Sequence, residues 1–141
     1  MLLVNFLKYL GVTIPLMAFA VFFFSLTTPY REFKIMFDGD VLDDPLKVAS
    51  AKAVAFDLGG KILGIAILLA SAIYHAVSLW DLFIWALTGI FFLIVVYYLF
   101  ELLTPGISIR KEIPQGNVGV AIFSFCLSLA TGVLMAALIS Y

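Results

Sequence analysis

Asp57 and Lys61 stand four residues apart inside an otherwise apolar stretch. On a helix that spacing puts both on one face, close enough to pair. Ionised side chains within hydrocarbon are costly, and they tend to face a bundle interior or a water-filled cavity. At about 100° per residue, Gly60, Gly64, Leu68, Ser71 and His75 lie within about 60° of that face. The result is a stripe that is charged, small and polar. Two readings stay open. Asp57, Lys61, Ser71 and His75 mark an ion or proton path, or a charged docking point for a partner. Alternatively, Asp57 and Lys61 lie roughly two or three turns from a helix end, where they snorkel and neutralise each other.

Gly60-Lys-Ile-Leu-Gly64 is a Gly-x-x-x-Gly. Glycine at this spacing lets a second helix approach closely, and packing rather than hydrophobicity drives helix association in lipid. The second helix belongs either to the same chain or to another subunit. The remaining chemistry is sparse. His75 reads as an interfacial residue or a pH sensor. Asp38, Asp40, Asp43 and Asp44 lack the ligand spacing of a calcium loop and read as a solvated acidic turn. Asn117, Ser124, Ser128 and Thr131 share a second polar face, suited to carbonyls and neighbouring helices or to a pore lining. Cys126 reads as a small apolar core residue. One cysteine and one histidine in 141 residues give neither an internal disulfide nor a zinc site. Nucleophile–base pairs, phosphate loops and metal clusters are missing from the sequence. It therefore predicts no catalytic residues, no cofactor, and a protein that is not an enzyme.

The elements that position these residues follow from composition. The chain is 65% hydrophobic and 12% charged, with a mean hydropathy of +1.19. That is too little polar surface for a water-soluble domain, so the surface solvent is the lipid bilayer. A net charge of -1 gives no case for a nucleic-acid partner. A membrane-spanning helix needs about 20 apolar residues. Leu3–Leu26, Ala53–Val77, Leu82–Leu103 and Asn117–Ser140 qualify, which predicts an all-α integral membrane protein with four transmembrane helices. The first stretch carries only Lys8 and has no small-x-small cleavage site after it, so it reads as a retained helix, with Pro15 a candidate kink. Arg31, Lys34, Lys47 and Lys52 in the first connection, with Arg110 and Lys111 in the third, place loops 27–52 and 104–116 in the cytoplasm. Both termini are then outside. Tyr74, Trp80 and Trp85 fall at the outer interface. Tyr30, Phe33, Met36 and Phe37, interleaved with Arg31, Glu32 and Lys34, suit the cytoplasmic interface.

The two halves match. Leu26-Thr-Thr-Pro29 closes the first stretch and Leu102-Leu-Thr-Pro105 the third. Proline restricts the residue before it and stops each helix there. Setting Ala51 against Asn117 aligns the second and fourth stretches without a gap, with Val54 on Val120, Ala55 on Ala121 and Leu68 on Leu134. Gly60 falls on Cys126, Gly64 on Ala130 and Ser71 on Ala137, so Gly60, Gly64, Cys126, Ala130 and Ala137 form a predicted packing or oligomer face. The charges do not repeat, since Phe123 and Leu127 stand where Asp57 and Lys61 would. The chain thus reads as one membrane domain, residues 1–141, of two tandem two-helix repeats, about 1–77 and 78–141. They would be related by a pseudo-twofold along the membrane normal.

The duplicated plan, the Thr-Pro helix ends, the Ala53-Val-Ala-Phe-Asp-Leu-Gly-Gly-Lys-Ile-Leu-Gly64 stretch and the Glu112-Ile-x-x-Gly-Asn117 run resemble the YjfL-like family. These are small bacterial inner-membrane proteins catalogued as domain of unknown function 350. The resemblance implies a four-helix inner-membrane protein built from a duplicated helix pair. It supplies no activity, and only a contextual link to envelope-stress, membrane-associated proteins of the PspA type. The chain departs from the family pattern at Asp57 and Lys61 and in its longer acidic first loop. Two functions follow as expectations. The first is a structural or interaction component that forms a homo-oligomer or docks a partner. The second is an ion, proton or small-solute channel or transporter using the charged stripe.

Overall fold

The computed structural model describes residues 1–38 and 43–140. Its elements are helices: α1 Leu2–Thr27, α2 Glu32–Asp38, α3 Pro45–His75, α4 Leu79–Leu103, α5 Ile109–Glu112 and α6 Val118–Ile139. Four of these, α1, α3, α4 and α6, are long and apolar enough to cross a membrane. The all-α architecture expected from the sequence is therefore present. Asp40 of the acidic run lies outside the described residues.

The helix limits have local causes. Pro29 excludes helix at the residue before it, and Thr28 is accordingly extended, at φ -78° and ψ 130°. Helix α3 begins at Pro45, earlier than the expected Ala53. The Asp44 side chain accepts from Leu46 N at 3.0 Å and Lys47 N at 3.3 Å, and proline suits the first helical position. The 31 residues of α3 span about 46 Å. That exceeds a hydrocarbon core of about 30 Å, so its first turns stand in the interface. Between α3 and α4, Ser78 accepts from Asp81 N at 3.1 Å while the Asp81 carboxylate accepts from Val77 N at 3.0 Å. This reciprocal cap makes the turn tight. Before α6, Asn117 accepts from Val120 N and donates to Glu112 at 2.6 Å. Gly116, at φ +88°, lies against Ala49 and Ser50 of α3. Pro15 sits within an uninterrupted α1.

Helices α3 and α6 form the central pair. They run parallel, since Gly60 meets Phe125, Gly64 meets Ser128 and Gly132, and Ser71 meets Ala136. A Cβ added at Gly64 would lie 2.5 Å from Ser128 O, and one at Gly132 2.5 Å from Gly64 O. Backbones this close are possible only with glycine on both sides. Helix α4 packs against α6 and α3, α1 against α3 and α4, and α2 folds back onto α3. Phe24, Leu68, Leu82, Leu93 and Tyr97 fill the core between the spans. Tyr74, Trp80 and Trp85 are exposed at the end away from α2 and α5.

Candidate functional site

Asp57 and Lys61 are buried, 0% and 2% exposed, at the level where α2 covers α3. Asp57 Oδ2 lies 2.8 Å from Lys61 Nζ and accepts from the Tyr30 hydroxyl at 2.6 Å. Asp57 Oδ1 accepts from the Tyr97 hydroxyl at 3.0 Å and from the Ser124 hydroxyl. Lys61 Nζ also donates to Thr28 Oγ1 at 2.9 Å and to Glu32 Oε1 at 2.5 Å. The ammonium's three protons thus have three acceptors: Asp57, Thr28 and Glu32. The rings of Phe24, Tyr30 and Tyr97 stand around it, with centroids 5.1–5.9 Å away, within cation–π range.

One hub therefore fastens every large element. Thr28 follows α1, Glu32 opens α2, Asp57 and Lys61 belong to α3, Tyr97 to α4 and Ser124 to α6. Burial, reinforced by the Asp57 carboxylate, holds the Tyr30 hydroxyl far above the usual phenol range, so it stays a donor. The hub contains two carboxylates and one ammonium, an excess of one negative charge when all are ionised. Among the described residues, Glu32 Oε2 is buried without a hydrogen-bond partner.

The other predicted residues lie apart. Ser71 donates to Ala136 O at 2.7 Å, and His75 Nδ1 sits 2.9 Å from Ser71 O. By helix rise these two are about 15 and 21 Å beyond Lys61, towards the far end. Gly60 and Gly64 pack against α6 within the chain. Cys126, Ala130 and Ala137 do not pack there; all three are exposed, including Cys126, the cysteine expected in the core. The face of α6 that meets α3 and α4 instead carries Ser124, Ser128, Thr131, Gly132 and Met135. The cause is the hub: Ser124 must face Asp57, and that rotation turns the aligned small residues outwards. Among the described residues, no group of His, Cys, Asp and Glu is placed to hold a metal ion.

Sequence reasoning missed Glu32, Tyr30 and Tyr97 as members of this site. Glu32 and Tyr30 read as interfacial residues, and Tyr97 is one aromatic in a helix dense with them. Spacing along one helix could not reveal partners supplied by two other helices and the link between α1 and α2. A family model described as "Domain of Unknown Function (DUF350)" matches residues 1–139. The chain belongs to this family. A relative, the UPF0719 transmembrane protein YshE of Bacillus subtilis (strain 168), is 31% identical over 135 residues. The match covers 96% of this chain and 92% of that protein. No solved structure matches the chain. This DUF350 member is thus a multi-pass membrane protein whose buried charged groups, among the described residues, are gathered at one end of the bundle.

Proposed function

We propose that this DUF350 protein is a structural or interaction component of the bacterial inner membrane, without enzymatic activity. In this reading it presents the outward face of α6 to a second copy or a membrane partner. The single observation that carries this is the division of its small residues. Gly60 and Gly64 are consumed inside the chain, whereas Cys126, Ala130 and Ala137 are exposed along α6. A small-residue face turned to lipid suits close approach by another helix. The hydrogen bonds and ion pairs of the hub support the same reading, because they tie the helices into a fixed unit rather than an open passage.

Cys126 supplies the test. If two copies meet along this face, mild oxidation in membranes should join them through Cys126, and Ala130→Leu should suppress the product. A chain that stays monomeric under oxidation and in detergent mass measurements would refute the homo-oligomer; co-purification then decides whether another protein, such as an envelope-stress component, takes the face.

A second reading, an ion or proton path, has one observation in its favour. Ser124, Ser128 and Thr131 are fully buried along the inner face of α6, leading away from the hub, and Ser128 Oγ has no partner among the described residues. Flux into proteoliposomes, compared between wild type and Asp57→Asn, tests it; absence of flux under any imposed gradient would reject it.

The tandem repeat belongs to this proposal as well. Residues related by a twofold along the membrane normal share a height, so helices packed about that axis meet at the repeat offset. Aligning Ala51 with Asn117 gives an offset of 66, and the observed α3–α6 contacts, from Gly64 with Ser128 through Gly60 with Phe125 and Asp57 with Ser124 to Gly64 with Gly132, lie within about two residues of it. The YjfL-like placement rests on the Thr-Pro ends and the Glu112–Asn117 turn. The proposed orientation, with loops 27–52 and 104–116 cytoplasmic, rests on their Lys and Arg content. Reporter fusions in each loop test it.

A further inference from the structure

A groove of about 450 Å³ opens where α1 passes into α2, lined by Phe22, Ser25, Leu26, Arg31, Glu32 and Lys34 among others. It sits at the end of a membrane-spanning helix, at the height of lipid headgroups. We propose that this groove binds the headgroup of an aminophospholipid, its ammonium against Glu32 and its phosphate against Arg31 or Lys34.

Three observations carry the assignment. Glu32 lines the groove while its Oε2, buried and without a partner among the described residues, belongs to a hub with one excess negative charge. A primary ammonium supplies both the missing donor and the missing positive charge, and charge-assisted bonds of this kind are among the strong ones. Arg31 and Lys34 are exposed beside it, and neither is paired with a carboxylate within salt-bridge distance among the described residues. They are free to take a phosphate. Phe22 and Leu26, 61% and 63% exposed, form an apolar rim continuous with the lipid-facing side of α1, where acyl chains would run. A free amine would use the first feature and leave the other two idle, which is why a lipid is the occupant.

The test is retention of single lipids by the purified full chain, read by native mass spectrometry. The probes are phosphatidylethanolamine, phosphatidylcholine and phosphatidylglycerol. The choline headgroup cannot donate a hydrogen bond, and the glycerol headgroup has no ammonium. Phosphatidylethanolamine should be held about tenfold more tightly than either, the worth of one charged hydrogen bond. Glu32→Gln should abolish the preference. Ser25→Trp fills the groove without touching the hub, so it should lose phosphatidylethanolamine while keeping wild-type thermal unfolding, and it decides the matter should Glu32→Gln fail to fold. Equal retention of the ethanolamine and choline lipids would overturn the proposal. So would preference for phosphatidylglycerol, or undiminished binding by Ser25→Trp.

Discussion

The two ends of this bundle are built differently. At the end carrying α2 and α5, charged and hydroxyl groups from α2, α3, α4, α6 and the link between α1 and α2 converge on Asp57 and Lys61, and a turn above them α3 and α6 touch backbone to backbone at Gly64 and Gly132. At the other end α1 and α4 leave an apolar cleft of about 440 Å³ between them, lined by Val12, Pro15, Leu16, Phe19, Phe83 and Leu87. Over its length α1 buries only Leu16, Ala20 and Phe24. The physical reason is the solvent. In lipid, an apolar side chain gains no hydrophobic free energy by leaving acyl chains for a neighbouring helix, so apolar residues alone do not close a seam. Hydrogen bonds and glycine contacts do.

The largest effect should follow from Lys61→Met. It leaves Asp57 and Glu32 as two buried carboxylates with no cation between them. Removing one partner of a buried ion pair costs about 3–5 kcal/mol. Unfolding in mixed detergent micelles should show a loss of that order. Glu32→Gln should cost much less, since Lys61 keeps Asp57 and an amide oxygen still accepts its proton. Equal losses for the two variants would mean that the hub's charge balance does not fasten this end.

Glycines of α3 sharpen the comparison within one helix. At Gly64 a methyl group meets Ser128 O at 2.5 Å, whereas at Gly59 nothing lies within 4 Å. Gly64→Ala should therefore force α3 and α6 apart at a cost of about 1–3 kcal/mol, typical of overpacking. Gly59→Ala should be neutral, or stabilising by about 0.5–1 kcal/mol through the lost freedom of glycine. Similar behaviour of the two variants would place the tight seam elsewhere.

Much of this was legible in the sequence, and the boundary is instructive. Hydrophobic runs located four spans because lipid imposes length and apolarity on each helix separately. The Thr-Pro ends and the Asp57/Lys61 pair were equally local signals. What escaped depended on how helices rotate against one another. An alignment matched Cys126 to Gly60, but Ser124 had to face Asp57, and the small residues turned outwards. Glu32 escaped because Asp57 and Lys61 look balanced as a pair. Only the fold-back of α2 brings a third charge to them.

Alkaline pH distinguishes the ends by a smaller margin. Tyr30 has its hydroxyl raised by burial and by Asp57, while in the unfolded chain it ionises near pH 10. A folded value above the unfolded one means that the contribution is complete below about pH 10 and declines above it. The decline is about 1.4 kcal/mol per pH unit for one proton. Tyr30→Phe removes a hydrogen bond but should flatten that part of the decline. A spectrophotometric titration should show one phenol fewer ionising in the folded wild type than in the unfolded chain on this account. Identical alkaline slopes for wild type and Tyr30→Phe would mean that the phenol is not held at Asp57.

The smallest effect belongs to the open end. Phe83 lines the cleft and is 39% exposed. In water, truncating a large aromatic core residue costs about 3–5 kcal/mol. Here the side chain exchanges one apolar neighbour for another, and lipid fills the space it vacates. Phe83→Ala should change unfolding by about 0.5 kcal/mol or less, as for a surface substitution. A loss comparable to that of Gly64→Ala would show the cleft to be a closed, packed seam in the membrane. The contrast between the two ends would then collapse into a uniformly packed bundle.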